Sequence, residues 1–127
     1  MDDRTIAKGV AVGRIAFGLL MLLAPRLLVR RTGTGEDPPP PYVWWLRAFG
    51  IRDTVLGPPP LVALGEDDPA AAARWVQAGA AADTLDAASA VVFGRDLGRT
   101  NALATLALAV PASILGWKAS QGLTSGR

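Results

Sequence analysis

Apolar residues fall into four long blocks, and polar residues gather between them. The blocks run from about Ile6 to Leu28, Tyr42 to Leu64, Pro69 to Gly94 and Thr100 to Trp117. At ~1.5 Å per residue, a helix of ~18 to 23 residues reaches ~27 to 35 Å, which matches a ~30 Å hydrocarbon core. A water-soluble four-helix bundle needs a charged face on every helix. The fourth block, TNALATLALAVPASILGW, has no charge in 18 residues, and its polar groups are Thr100, Asn101, Thr105 and Ser113. None of these solvates a helix face well. The pattern predicts one all-α domain over residues 1–127, a bundle of four transmembrane helices with antiparallel neighbours.

The connectors carry their own signals. RTGTGEDPPPP at 31–41 ends in four prolines and predicts an extended segment. In GEDDP at 65–69, Gly65 ends one helix, Asp68 is placed to cap the next, and Pro69 falls at its first position. GRDLGRT at 94–100 reads as a short turn between two antiparallel helices. GPPP at 57–60 ends or breaks the second helix near Pro58; a short span with an extended tail is the favoured reading, and a broken helix lining a cavity is the alternative. Tyr42, Trp44, Trp45, Trp75 and Trp117 stand near block ends, where amphipathic rings prefer the membrane interface. Basic residues leave the orientation undecided: Arg4, Lys8, Arg74, Lys118 and Arg127 on the side of the termini balance Arg26, Arg30, Arg31, Arg95 and Arg99 on the other.

Composition agrees with the blocks. Hydrophobic residues make up 50% and charged residues 19%, the latter below the roughly 25% of ordinary soluble domains. The net charge is +2 and the basic residues are scattered, which argues against a nucleic-acid partner. With no cysteine and no histidine, disulfides, zinc fingers, thiolate nucleophiles and Ser-His-Asp devices are excluded. Any catalysis would run on carboxylates, hydroxyls, Arg, Lys or Tyr42, and no metal or cofactor is expected. Arginine outnumbers lysine eleven to two, a hint of a GC-rich genome. The first block has no small-residue cleavage site after it and reads as a retained helix.

Lys8, Arg26 and Arg74 stand towards block ends, and six further charged residues lie inside the apolar blocks: Arg14 in the first, Arg47, Arg52 and Asp53 in the second, Asp83 and Asp86 in the third. Each would cost ~2.5 to 3.5 kcal/mol facing lipid at the bilayer centre, so they are expected to turn inwards as an ion-pair cluster. All but Arg47 share a depth; Arg47 is close enough to Tyr42 and Trp45 to snorkel towards headgroups. Asp83 and Asp86 lie about 60° apart on a helix, in a stripe continued by Gly79 and Ala90. Asp53 shares an arc with Gly50 and Gly57, and Arg14 stacks over Gly18. Gly9 and Gly13 form a G-x-x-x-G that would let another helix approach.

Together GRIAFGLLMLLAPRLL, LRAFGIRDTVLG and WVQAGAAADTLDAAS resemble a group of small actinobacterial four-helix membrane proteins with an R-A-x-G-x-R-D segment and a D-x-x-D helix. The resemblance implies four helices in a bacterial cytoplasmic membrane and no established activity; Pro58 to Pro60 depart from it. Three functions remain open. In the first, the ionic cluster sets helix register in an accessory subunit that binds other membrane helices or a second copy. The second is an enzyme or binding protein for a lipid-like molecule such as an isoprenoid, a quinone or a polyketide. There Asp83 and Asp86 would act as acid and base, with Asp53 beside them and Arg52 or Arg14 stabilising negative charge. The third is proton or ion translocation by an oligomer.

Overall fold

In a computed structural model, which describes residues 1–33 and 35–125, the chain is helical throughout and no strand occurs among the described residues. The helices are α1 (Asp3–Leu23), α2 (Pro25–Thr32), α3 (Pro40–Leu56), α4 (Pro58–Gly65), α5 (Pro69–Val92), α6 (Gly94–Leu97) and α7 (Arg99–Ser125). Proline writes the punctuation. It opens α2, α3, α4 and α5, at the position where a helix has no use for an amide donor and gains from a fixed φ. Side-chain caps hold the start of α1, where Asp2 accepts from the Thr5 amide at 2.6 Å, and reinforce that of α5, where Asp68 accepts from the Ala71 amide at 2.9 Å.

Several expected boundaries change for the same reason. The first block is not one helix to Leu28. It breaks at Ala24 (φ −134°, ψ 48°), because Pro25 supplies no amide and pushes the residue before it out of helical geometry. The second block has no extended tail. Gly57 stays helical (φ −74°, ψ −48°) and its amide reaches the Asp53 carbonyl at 3.0 Å. Pro58, Pro59 and Pro60 then form the first turn of α4. The helix is broken in its hydrogen bonding, since Thr54, Val55 and Leu56 face prolines where they would meet amides, but the chain keeps its helical course.

In the proline-rich connector, Pro39 is extended (φ −62°, ψ 151°), while Pro40 and Pro41 have already joined α3; Thr34 lies outside the described residues. The fourth helix runs eight residues past Trp117, to Ser125, and passes through Pro111, so Trp117 stands within α7 and not at its end.

Partners along the helices run in opposite senses. Ala11, Arg14 and Gly18 of α1 meet Gly57, Asp53 and Gly50 of α3 in that order. Ala80 and Thr84 of α5 meet Gly116 and Ser113 of α7. At one end of the molecule Asp3 of α1 lies against Gly122 of α7. Helix α1 is therefore antiparallel to α3 and α7 and runs with α5. The turn through α6 closes with Gly98 in the left-handed region (φ 84°), which a glycine reaches without strain.

Large and small side chains are sorted unusually. The core is built from Ala7, Ala63, Leu64, Ala72, Ala73, Val76, Ala119 and Leu123, and the largest side chains that are fully buried are Leu64 and Ser120. Arg14, Asp53 and Asp83 are buried, while Ile51, Val55, Leu85, Val91, Leu103 and Ile114 are more than half exposed. By length and composition α1 and α7 are fit to cross a membrane. Helix α3 stops at 17 residues, and α5 carries Arg74, Asp83 and Asp86, so four separate spans do not follow from helix length alone.

Candidate functional site

Small residues make room for the charges. A methyl at Gly50 would fall 2.5 Å from the Gly18 carbonyl oxygen, and one at Gly18 would fall 2.8 Å from the Thr54 amide nitrogen. Helices α1 and α3 thus touch backbone to backbone, a closeness only glycine permits. About one turn away along each helix, Arg14 and Asp53 are brought within reach. On the other side Gly79 of α5 leaves a seat for the Arg14 guanidinium, whose nearest nitrogen would stand 2.9 Å from an added methyl.

Five of the six expected residues form one continuous ladder. Arg14 bridges two helices, donating from Nη1 to Asp53 Oδ1 at 2.9 Å and from Nη2 to Asp83 Oδ2. Asp53 Oδ1 also accepts from Arg52 Nε at 3.2 Å and Nη2 at 3.1 Å. Arg52 then forks onto Asp86, with Nη1 to Oδ1 at 3.0 Å and Nη2 to Oδ2 at 2.7 Å. The order is Asp83, Arg14, Asp53, Arg52, Asp86, and it ties α1, α3 and α5 together. A two-pronged guanidinium–carboxylate contact fixes orientation as well as distance.

The ladder grades from dry to wet. The side chains of Arg14 and Asp83 keep 6% and 8% of their exposure, and those of Arg52 and Asp86 keep 29% and 26%. Phe49 shelters the outer end, its ring centre 5.2 Å from the Arg52 guanidinium carbon. No buried side-chain nitrogen or oxygen among the described residues lacks a partner. Two guanidinium groups face three carboxylates, one negative charge in excess.

Arg47 does not belong to the ladder. It is exposed, near the start of α3, and pairs with no described residue; its position two turns in from Pro40 directs it away from the level of the aspartates. Added methyls at Gly9 and Gly13 meet nothing within 4 Å, so these glycines face outwards and the G-x-x-x-G closes no contact inside the chain.

A second polar contact was not anticipated. Thr84 Oγ1 lies 2.7 Å from Ser113 Oγ, gives its proton to one of its neighbours, and accepts from Trp117 Nε1 at 3.1 Å, joining α5 to α7. Its signal was the single hydroxyl between Asp83 and Asp86 and the lone serine in the uncharged block from Thr100 to Trp117. A third contact staples the opposite end, where Arg4 donates to Asp67 at 2.9 Å and to the Leu64 carbonyl.

No described cluster of acidic residues has the arrangement to hold a metal ion. Two surface depressions occur at the far end of α5, one along Ser89, Phe93, Asp96 and Leu97, the other along Val91, Gly94, Arg95, Arg99, Ala102 and Leu103; neither includes a ladder residue. No family model matches the chain, and no curated protein or solved structure matches it significantly.

Proposed function

We propose that the chain is a multi-pass protein of a bacterial cytoplasmic membrane, one of the small actinobacterial proteins its motifs resemble, and that it works as a helix-interaction subunit. The ladder fixes the register of α1, α3 and α5, and the outward apolar faces pack against lipid, another membrane helix or a second copy. One observation carries this reading: every interior carboxylate is held by a guanidinium from another element, or from the next residue as well. An arrangement of that kind specifies alignment and leaves no acid free to work. The sorting of large apolar side chains outwards and charged or small ones inwards supports the membrane setting, because lipid, unlike water, gives bulky apolar groups no reason to hide.

A second reading draws on a different feature, the excess carboxylate and the quarter-exposed Arg52–Asp86 end. In it, a lipid-like molecule reaches the open end of the ladder and Asp83 and Asp86 handle its proton, with Asp53 and Arg52 as supports.

Native mass spectrometry of the chain released from mild detergent separates the two. The subunit reading expects a stoichiometric second polypeptide or second copy. A monomer that instead keeps one isoprenoid, quinone or polyketide, and loses it in Asp83→Asn, would replace it with the second reading. Extraction into buffer without detergent would defeat both.

A further inference from the structure

Resting on the membrane setting above, we infer that the groove between the end of α5 and the start of α7 is a binding site for the phosphate headgroup of an anionic phospholipid. Its floor and rim differ in chemistry. Val91, Ala102 and Leu103 give apolar walls along the helices, and Arg95 and Arg99 stand at the rim around the turn. Both arginines are exposed, and neither makes an ion pair or a side-chain hydrogen bond with a described residue. They share that state with Arg26, Arg31, Arg47 and Arg74, whereas Arg4, Arg14, Arg30 and Arg52 have carboxylate partners; what sets Arg95 and Arg99 apart is that both line one groove. Gly94 lies on the groove floor, where an added methyl would stand in ordinary contact with Ala102, 3.5 Å away.

Charge complementarity selects the occupant. Because α1 runs with α5, the arginines of α2 lie at the same end of the bundle as Arg95 and Arg99. That end holds Arg26, Arg30, Arg31, Arg95 and Arg99 against Glu36, Asp37 and Asp96. Among the described residues, the opposite end holds Arg4, Lys8, Arg74 and Lys118 against Asp2, Asp3, Glu66, Asp67 and Asp68. Only the first has cationic excess, and juxtamembrane arginines are drawn to anionic leaflets. Guanidinium suits phosphate oxygens by shape as well as by charge. Phe93 and Val92, both well exposed beside the groove, continue the apolar surface on which an acyl chain would lie.

The test uses the full chain in phosphatidylcholine nanodiscs, with and without added phosphatidylglycerol, followed by native mass spectrometry. Phosphatidylglycerol should stay bound in preference to phosphatidylcholine. Arg95→Gln with Arg99→Gln should lower that retention about tenfold or more, two cationic contacts being lost. Arg26→Gln with Arg31→Gln, at the same end but outside the groove, should change it less than threefold. Equal retention of both lipids, an unchanged Arg95/Arg99 variant, or an equal loss in the Arg26/Arg31 variant would overturn the site. Retention of added inorganic phosphate in place of lipid would overturn it too, as a free-anion site. Failure of the chain to enter nanodiscs at all strikes the membrane setting instead.

Discussion

Arg14 is the residue on which the interior charge arrangement turns, since it is the most buried guanidinium of the ladder and holds aspartates from two helices other than its own. Removing it strands Asp83 and leaves Asp53 with Arg52 alone. Arg14→Met should destabilise the detergent-solubilised chain by about 3 to 5 kcal/mol, while Arg14→Met with Asp83→Leu should cost less than the sum of the two single changes. Denaturant titration of the four proteins of that cycle checks it, and additivity would mean that the pair is not coupled. Gly79→Ala makes a subtler demand, because its methyl would push a guanidinium that two carboxylates pin in place; a cost of about 1 to 3 kcal/mol is expected from overpacking. That five charges would meet was legible from their common depth and opposite signs. Which aspartate meets which arginine was not, because Arg52 reaches sideways around α3 to Asp86, a length of side chain that linear spacing does not register. Thr84 and Ser113 went unread for a related reason: a hydroxyl is as content with its own helix carbonyl as with a neighbour.

Among the elements, the contact of α1 with α3 is the closest, and it predicts a contrast between glycines that look alike in sequence. Gly50→Ala must drive two backbones apart and widen the gap between Arg14 and Asp53, so a loss of about 1 to 3 kcal/mol or more is expected. Gly9→Ala, facing open space, should be neutral or stabilise α1 by up to about 1 kcal/mol. Thermal unfolding of both variants decides whether the packed stripe is Gly18–Gly50 or the more obvious G-x-x-x-G. The start of α1 responds to pH. The Thr5 amide bonded to Asp2 holds that carboxyl below its ordinary range, so the cap is present at neutral pH and is lost as pH falls through the lowered value. Exchange of the Thr5 amide hydrogen should show extra opening in acid that Asp2→Asn does not share. Helix existence was readable from apolar runs, and so was the joint from Gly65 through the Asp68 cap to Pro69, whereas those at Ala24–Pro25 and Gly57–Pro58 were misjudged. Proline was read as a stop, yet at Gly57–Pro58 the preceding glycine keeps helical angles and the prolines simply begin the next helix.

For the molecule as a whole, the outward sorting of bulky apolar groups makes a prediction that the chain is well suited to test, having no cysteine of its own. Leu85 is 70% exposed on α5, one residue from Asp86, and Val55 is 62% exposed on α3, two residues from Asp53. Both project outwards at the depth of the ladder. In a bilayer their surroundings are hydrocarbon; in water they would be among the most accessible side chains of the protein. A cysteine at either position should therefore resist a charged maleimide in intact membranes and react once the membrane is dissolved in a denaturing detergent. A cysteine at Glu36 or Glu66, in the connectors at opposite ends, should react whenever its side of the membrane is presented to the reagent. Rapid labelling at positions 85 and 55 in intact membranes would place these faces in water, and the ladder would then be the interior of a soluble bundle. Sequence periodicity leads to the same question but cannot pose it so sharply, since it does not reveal that the largest fully buried side chains are only a leucine and a serine while arginine and aspartate fill the centre.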